Sequence, residues 1–455
     1  MLRALARAAG AHLRLETDDV VIVGNDIVAV HASTPGAKAL LVPAGATITE
    51  AAPGGAAPRA GCLTVPMQRG TRLFRIVRSW RGRRTVTEGD SDGCPWTHQR
   101  SVCLNQEMAT GLQATIPAYA LAFAKYMALQ GLNHLILHVT NACNFRCEHC
   151  FIDFSPKKDL TFDEIARLAA AVKDLLWLDI AGGEPFLRKD LAAVVALFNF
   201  KIVQIPTNGF YTDRIVDSLT DMRKKVGNKV NLTLSVDGLE ATHNKIRGQA
   251  NSWRKLWETF EKVRALGFPI KINTVITTSN YDELIPLMRH VRERGPSFHS
   301  MILLRGNTLD PDCALPSLEK LRELAGPMFQ ILDSYSFGRQ GFATRVMQNY
   351  VRTLWDVSLQ TIDEQRQVTP CQAGKFHQVV YGNGDVSSCE MLPPVGNLRQ
   401  KSWQDIRASR ELREQVKSIE RGECHCTHNC AMLGSILFRP GPAAKLAARS
   451  VLKLR

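Results

Sequence analysis

The chain has 455 residues, 45% of them hydrophobic and 22% charged, with a net charge of +14. This is the composition of an ordinary globular protein with room for roughly two to four domains. No apolar run reaches the ~18 residues needed to span a bilayer, and residues 1–15 lack the uninterrupted apolar core of a secretory signal, so the expected setting is cytoplasmic. Twelve cysteines in such a chain favour metal or redox chemistry over a disulfide scaffold.

Five regions are expected along the chain: 1–130, 131–310, 311–370, 371–432 and 433–455. The first opens with short β-prone runs at 20–23, 27–30 and 39–42, separated by turn residues. Five arginines surround Trp80 between positions 75 and 84. They form a basic surface with no nucleic-acid motif around it, so no nucleic-acid partner is expected. An Ala/Leu-rich helix is predicted near 116–129. From 131 to 310 strand-like runs at 135–140, 177–180, 202–205, 230–235, 270–276 and 300–304 alternate with helical patterns. Thr161 and Glu164 have the spacing of a capping box, which satisfies the free amides of a helix start. Ile165, Leu168, Ala169 and Val172 then repeat at helical spacing. Six βα units predict an α/β fold with a parallel sheet, curved into a partial barrel. Residues 311–370 read as helical. Residues 371–432 show little apolar core, and a metal can replace one in so short a segment. Lys445, Arg449 and Lys453 share a helical stripe in the tail. A basic amphipathic helix there would touch an anionic membrane surface; a C-terminal capping helix is the alternative.

Cys143, Cys147 and Cys150 follow the first barrel strand, so their loop opens at the C-terminal mouth of the sheet, where barrel active sites lie. Three thiolates hold a four-iron cluster and leave one iron without a protein ligand, whereas clusters that only pass electrons usually have every iron ligated. A zinc site completed by His149 is the alternative. Polar motifs recur at the later strand ends: Gly182, Gly183, Glu184 and Pro185; Thr207, Asn208 and Gly209; Ser235, Asp237 and Gly238; Asn273; Arg305. Each alone is turn chemistry. Together, at one mouth beside an incomplete cluster, they form a constellation.

This constellation resembles the radical S-adenosylmethionine (SAM) superfamily. The resemblance implies a partial (β/α)6 barrel of the radical SAM type, with a small N-terminal β-rich region and a C-terminal cysteine-rich domain. It implies a [4Fe-4S] cluster on Cys143, Cys147 and Cys150, whose open iron chelates S-adenosyl-L-methionine. Gly182, Gly183, Glu184 and Pro185 match the motif that meets the methionine amino group, and Asn208 ends the next strand. Ser235 and Asp237 match the ribose and methionine end, Arg247 the partner of the methionine carboxylate, and Asn273 a ribose contact. His149 stands where an aromatic residue is common, and the adenine motif is not legible. Cys371, Cys389, Cys424, Cys426 and Cys430 resemble the SPASM/Twitch extension, which implies one auxiliary [4Fe-4S] cluster on Cys371, Cys389 and two of the other three. A zinc knuckle using His425 or His428 is the alternative. The implied activity is reductive cleavage of S-adenosylmethionine to a 5′-deoxyadenosyl radical, which abstracts hydrogen from a substrate. Family habit favours oxidative modification of a peptide, with an electron donor such as a flavodoxin or ferredoxin. Oxidation of a small alcohol or sugar, or a non-catalytic redox sensor, are the rival readings.

Overall fold

The structure, a computed structural model, describes residues 132–155, 157–337 and 342–451 and the backbone of seven strands between residues 12 and 78. The chain divides into two units, Met1–Pro95 and Trp96–Arg455.

In the first unit the strands are β1 (His12–Glu16), β2 (Asp19–Val23), β3 (Ile27–Ala32), β4 (Gly36–Leu41), β5 (Ala46–Glu50), β6 (Cys62–Met67) and β7 (Gly70–Arg78). β-Branched runs such as 20–23 suit a pleated surface, and Gly24, Asn25 and Asp26 between β2 and β3 suit a turn. Five strands form an antiparallel sheet in the order β1-β2-β3-β7-β5, and β4 pairs with β6. The predicted helix at 116–129, Trp80, Cys94 and Cys103 lie outside the described residues.

The second unit contains all six predicted barrel strands. They are β8 (His134–His138), β9 (Leu175–Ala181), β10 (Phe200–Thr207), β11 (Val230–Ser235), β12 (Ile270–Ile276) and β13 (Phe298–Leu303). Each runs parallel to the next. The helices between them are α1 (Phe162–Ala171), α2 (Leu191–Ala196), α3 (Thr212–Val226), α4 (Glu240–Arg247), α5 (Ser252–Ala265) and α6 (Leu284–Arg294). The Thr161 capping box forms in both directions, with Glu164 N donating to Thr161 Oγ1 and Thr161 N to Glu164 Oε2. Leu135, Leu178, Val203, Leu232 and Ile272 are fully buried in one core with Ile165, Val194, Leu219 and Phe260 of the helices. Alternation along each strand turns the intervening residues to the opposite, luminal face. There stand His134, Asp179, Gln204, Asn231, Lys271 and Ser300, an unusually polar interior for a parallel sheet.

The sheet does not close. At the β8 edge it continues into β14 (His377–Val380), parallel to β8, and then β15 (Asp385–Ser387) and β16 (Gly396–Asn397), both antiparallel. The C-terminal cysteine-rich segment is thus stitched into the barrel sheet itself. It also has more core than its sequence suggests: Trp403, Ile406 and Leu412 join the main barrel core, carried by α9 (Trp403–Arg407) and α10 (Arg410–Glu420). Between barrel and hairpin, α7 (Leu318–Leu332) and α8 (Phe342–Glu364) pack Leu324, Met328 and Leu332 against Trp355 and Leu359. The chain continues through α11 (Asn429–Leu437) and α12 (Pro440–Val451). In α12 Leu446 packs with Tyr350, Met432 and Ile436, so this apolar position faces protein, as in the capping-helix reading; Leu452, Lys453 and Leu454 lie outside the described residues. Among the described residues no helix is long and apolar enough to cross a membrane.

Candidate functional site

The loop after β8 is anchored at both ends. Thr140 Oγ1 donates to Asp159 at 2.5 Å and accepts from Ala142 N at 3.1 Å. Gly183 N donates to Thr140 O and Glu184 N to Ala142 O, both at 2.9 Å. This docking explains the two glycines. A Cβ on Gly182 would lie 2.2 Å from Thr140 O, and one on Gly183 would lie 2.2 Å from Ala142 O. The close approach they permit in this structure is to the cysteine loop. Within the loop Phe145 N points at Cys143 Sγ (3.4 Å), and Arg247 Nη1 at Cys147 Sγ (3.6 Å). Burial pushes the Cys143 thiol up to about 12 and raises Cys147 and Cys150 as well. The metal-free thiols are therefore protonated at neutral pH, and metal loading displaces protons.

Glu184 is 1% exposed. Its carboxylate accepts from Phe186 N (3.1 Å), Thr207 Oγ1 (2.9 Å) and Asn208 N (2.9 Å). Burial outweighs these donors and raises its pKa to about 7. The Asn208 side chain tethers two loops, donating to Asn144 Oδ1 and accepting from Phe210 N. Asp237 is fully buried and acts on other side chains: Oδ2 lies 2.5 Å from Arg247 Nη2 and 3.6 Å from His149 Nε2, while Oδ1 accepts from Val275 N. Burial holds the His149 imidazole down to about 4, so it is neutral. The predicted mouth residues thus assemble, with Asp237 and Asn208 positioning neighbours. Several buried polar atoms in this group have no hydrogen-bond partner among the described residues, among them Arg247 Nε, His149 Nδ1 and Asn273 Oδ1. A buried donor and a buried acceptor left over beside three thiols fit a bound polar ligand.

The second cysteine group separates into four and one. Cys371, Cys389 and Cys424 share a buried cluster with Ala373 and Ile419, and Cys426 lies within electrostatic reach of Cys371 and Cys389. Cys430 faces elsewhere. Its Sγ is 3.8 Å from Asp179 Oδ2 in the barrel lumen.

Family models match both cysteine-bearing regions. The Radical SAM superfamily matches residues 137–291, and the SPASM iron-sulfur cluster-binding domain matches residues 371–431. The chain carries a radical SAM domain followed by a SPASM domain. GTP 3',8-cyclases of Staphylococcus aureus strains JH9 and Newman are each 29% identical over 180 residues, covering 36% of this chain and 52% of theirs. The chain spans about half the length of the curated relatives it matches. Among solved structures, Streptococcus suis SuiB bound to precursor peptide SuiA is paired at 16% identity and TM-score 0.49, covering 66% of this chain and 70% of that one. Native anSMEcpe with bound AdoMet is paired at 15% identity and TM-score 0.48, covering 71% and 100%.

The SPASM domain meets the radical SAM barrel through buried residues, of which sequence reasoning missed Glu390, His138, His134 and Asp179. Glu390, next to Cys389, accepts from His138 Nε2 of β8 at 3.0 Å and from His428 Nε2 at 2.6 Å. Burial opposes its ionisation, yet these hydrogen bonds hold its pKa well below the usual carboxylate value. Arg305, past β13, approaches the same carboxylate at 3.9 Å. One luminal layer deeper, His134 Nε2 lies 2.8 Å from Asp179 Oδ2. For His134, His138 and Asp179 the only sequence signal is polarity within otherwise apolar strands; Glu390 has none. His425, the other zinc candidate, is exposed on the cysteine loop.

Proposed function

We propose that the chain is an enzyme that cleaves S-adenosylmethionine reductively and removes hydrogen from a substrate held in the barrel lumen. The observation that carries this reading is the docking of the three-thiol loop onto Gly182, Gly183 and Glu184, which sets a buried carboxylate beside Cys143. Cys143, Cys147 and Cys150 would hold a [4Fe-4S] cluster. When bound, the cluster and S-adenosylmethionine supply one-electron cleavage of the sulfonium and hydrogen abstraction. Glu184 would take the methionine ammonium by charge-assisted hydrogen bonds, with Gly182, Gly183 and Pro185 shaping its backbone. Arg247, steered by Asp237, supplies the cation for the methionine carboxylate, and Asn273 and Ser235 meet the ribose. Cys371, Cys389, Cys424 and Cys426 would hold one auxiliary [4Fe-4S] cluster, with Cys430 outside the ligand set. A flavodoxin or ferredoxin would deliver the electron. Oxidative modification of a peptide remains the substrate reading implied by family resemblance alone.

The test is anaerobic reconstitution with iron and sulfide, followed by reductant and S-adenosylmethionine, with 5′-deoxyadenosine read by mass spectrometry. Product is expected from the parent chain and none from Cys147→Ala. Absence of product from the parent with a spectroscopically reduced cluster would overturn the reading. Cys389→Ala is expected to keep uncoupled cleavage if the auxiliary cluster serves substrate oxidation; loss of cleavage in a folded variant assigns it to electron delivery.

A further inference from the structure

A cavity of about 520 Å³ opens between the lumen and helices α7, α8, α11 and α12. Its volume falls in the range of roughly 300–1,000 Å³ that suits small organic ligands. Its two ends differ. The helix end is apolar, walled by Phe329, Leu332, Phe337, Val351, Trp355 and Leu437. The lumen end is polar, with His134, Asp179, Gln204 and Lys271.

The groups of the polar end are unequally satisfied. Asp179 accepts from His134 Nε2 at 2.8 Å and from Gln204 Nε2 at 3.4 Å, and meets the Cys430 thiol at 3.8 Å. Lys271 has no hydrogen bond or ion pair among the described residues and senses Asp179 and Cys430 only through space. Burial alone lowers its pKa. A half-buried ammonium that lines a cavity without a direct partner among the described residues is placed to receive acceptor oxygens from a ligand.

We infer that this cavity takes a single-chain amphiphile, its apolar chain against the α7 and α8 aromatic wall and its anionic head on Lys271. A peptide segment fits less well, because each of its residues would bring a backbone N–H and C=O to a mostly apolar wall. The head chemistry is shared by fatty carboxylates and prenyl phosphates. Lys271 and Asn273 share the luminal face two residues apart, roughly 6–7 Å along the strand. With Asn273 at the ribose, the anionic head on Lys271 lies one luminal layer below the cofactor. This last placement rests on the proposed function; binding does not.

The experiment is isothermal titration of the anaerobically reconstituted full chain, without S-adenosylmethionine or reductant. The probes are dodecanoate, farnesyl phosphate, dodecylamine and a blocked Phe-Leu-Phe tripeptide, all below micelle formation. At least one anionic probe is expected to bind once per chain, about tenfold or more tighter than dodecylamine; comparing the two assigns carboxylate or phosphate. Lys271→Met should reduce that preference to under about threefold, with Lys271→Gln as the second variant if it fails to fold. Met347→Trp, which fills the apolar end, should weaken every chain probe with unchanged circular dichroism. The inference is overturned if neither anionic probe saturates, if dodecylamine or the tripeptide binds as tightly, or if the preference survives loss of Lys271. If 5′-deoxyadenosine forms but no anionic probe binds, this inference alone fails; if a probe binds but no 5′-deoxyadenosine forms, the proposed function alone fails.

Discussion

Glu184 carries three hydrogen-bond donors on a carboxylate with almost no access to water. Its pKa rises from 4.5 to about 7 because desolvation outweighs those donors. The folded chain then holds this proton more tightly than the unfolded chain, so stability falls as pH rises from 4.5 to about 7 and levels off above. Glu184→Gln should remove that slope from the metal-free protein; denaturant midpoints at acidic and mildly alkaline pH check it, and an unchanged slope contradicts it. The same variant should raise the apparent KM for S-adenosylmethionine by about tenfold, since a charge-assisted contact is replaced by a neutral one. At Gly183 the constraint is steric. With Ala142 O only 2.2 Å from a built Cβ, Gly183→Ala must displace the cysteine loop. Iron content at the first cluster should fall severalfold with little change in far-ultraviolet circular dichroism. Both residues are legible in the sequence as a motif. That the glycines face the chain's own carbonyls is not, because the approach joins segments some forty residues apart.

The capping box at the start of α1 is a local device, and its spacing alone exposes it. What the box does for the rest of the molecule is not local. Arg399, beyond the β15–β16 hairpin, donates to Glu164 of that box and to the carbonyls of Lys158, Asp159 and Asn383. Asp159 in turn accepts from Thr140 at the root of the cysteine loop. One guanidinium thus ties the SPASM hairpin to the root of the three-cysteine loop. Arg399→Ala should lower stability by about 1–2 kcal/mol, the worth of a partly exposed set of charge-assisted hydrogen bonds, read by urea unfolding. Arg399→Lys should recover less than half, since an ammonium cannot reproduce the planar fork. A loss below about 0.3 kcal/mol would show that the tie is decorative.

Across the whole molecule, the parallel sheet and the SPASM hairpin form one continuous surface, and this arrangement sorts the cysteines. Cys371→Ala should lose the iron of one cluster, whereas Cys430→Ala should keep the full complement of both. Iron and sulfide analysis with electron paramagnetic resonance distinguishes these outcomes, and equal losses in the two variants would return Cys430 to the ligand set.

The sequence by itself determined the strand and helix order, the three-cysteine loop and the recurrence of polar residues at the strand ends. These are patterns of period and spacing that a single chain displays without folding. Tertiary structure alone decided that Asp237 serves Arg247, that Glu390 joins His138 to His428, and that Cys430 turns toward Asp179 and away from Cys371. It also decided that Lys271 faces a cavity with no direct partner among the described residues. Each of these facts depends on which side chains a curved parallel sheet turns inward and on which distant segment covers them. Burial, charge pairing and cavity shape arise only when those segments meet.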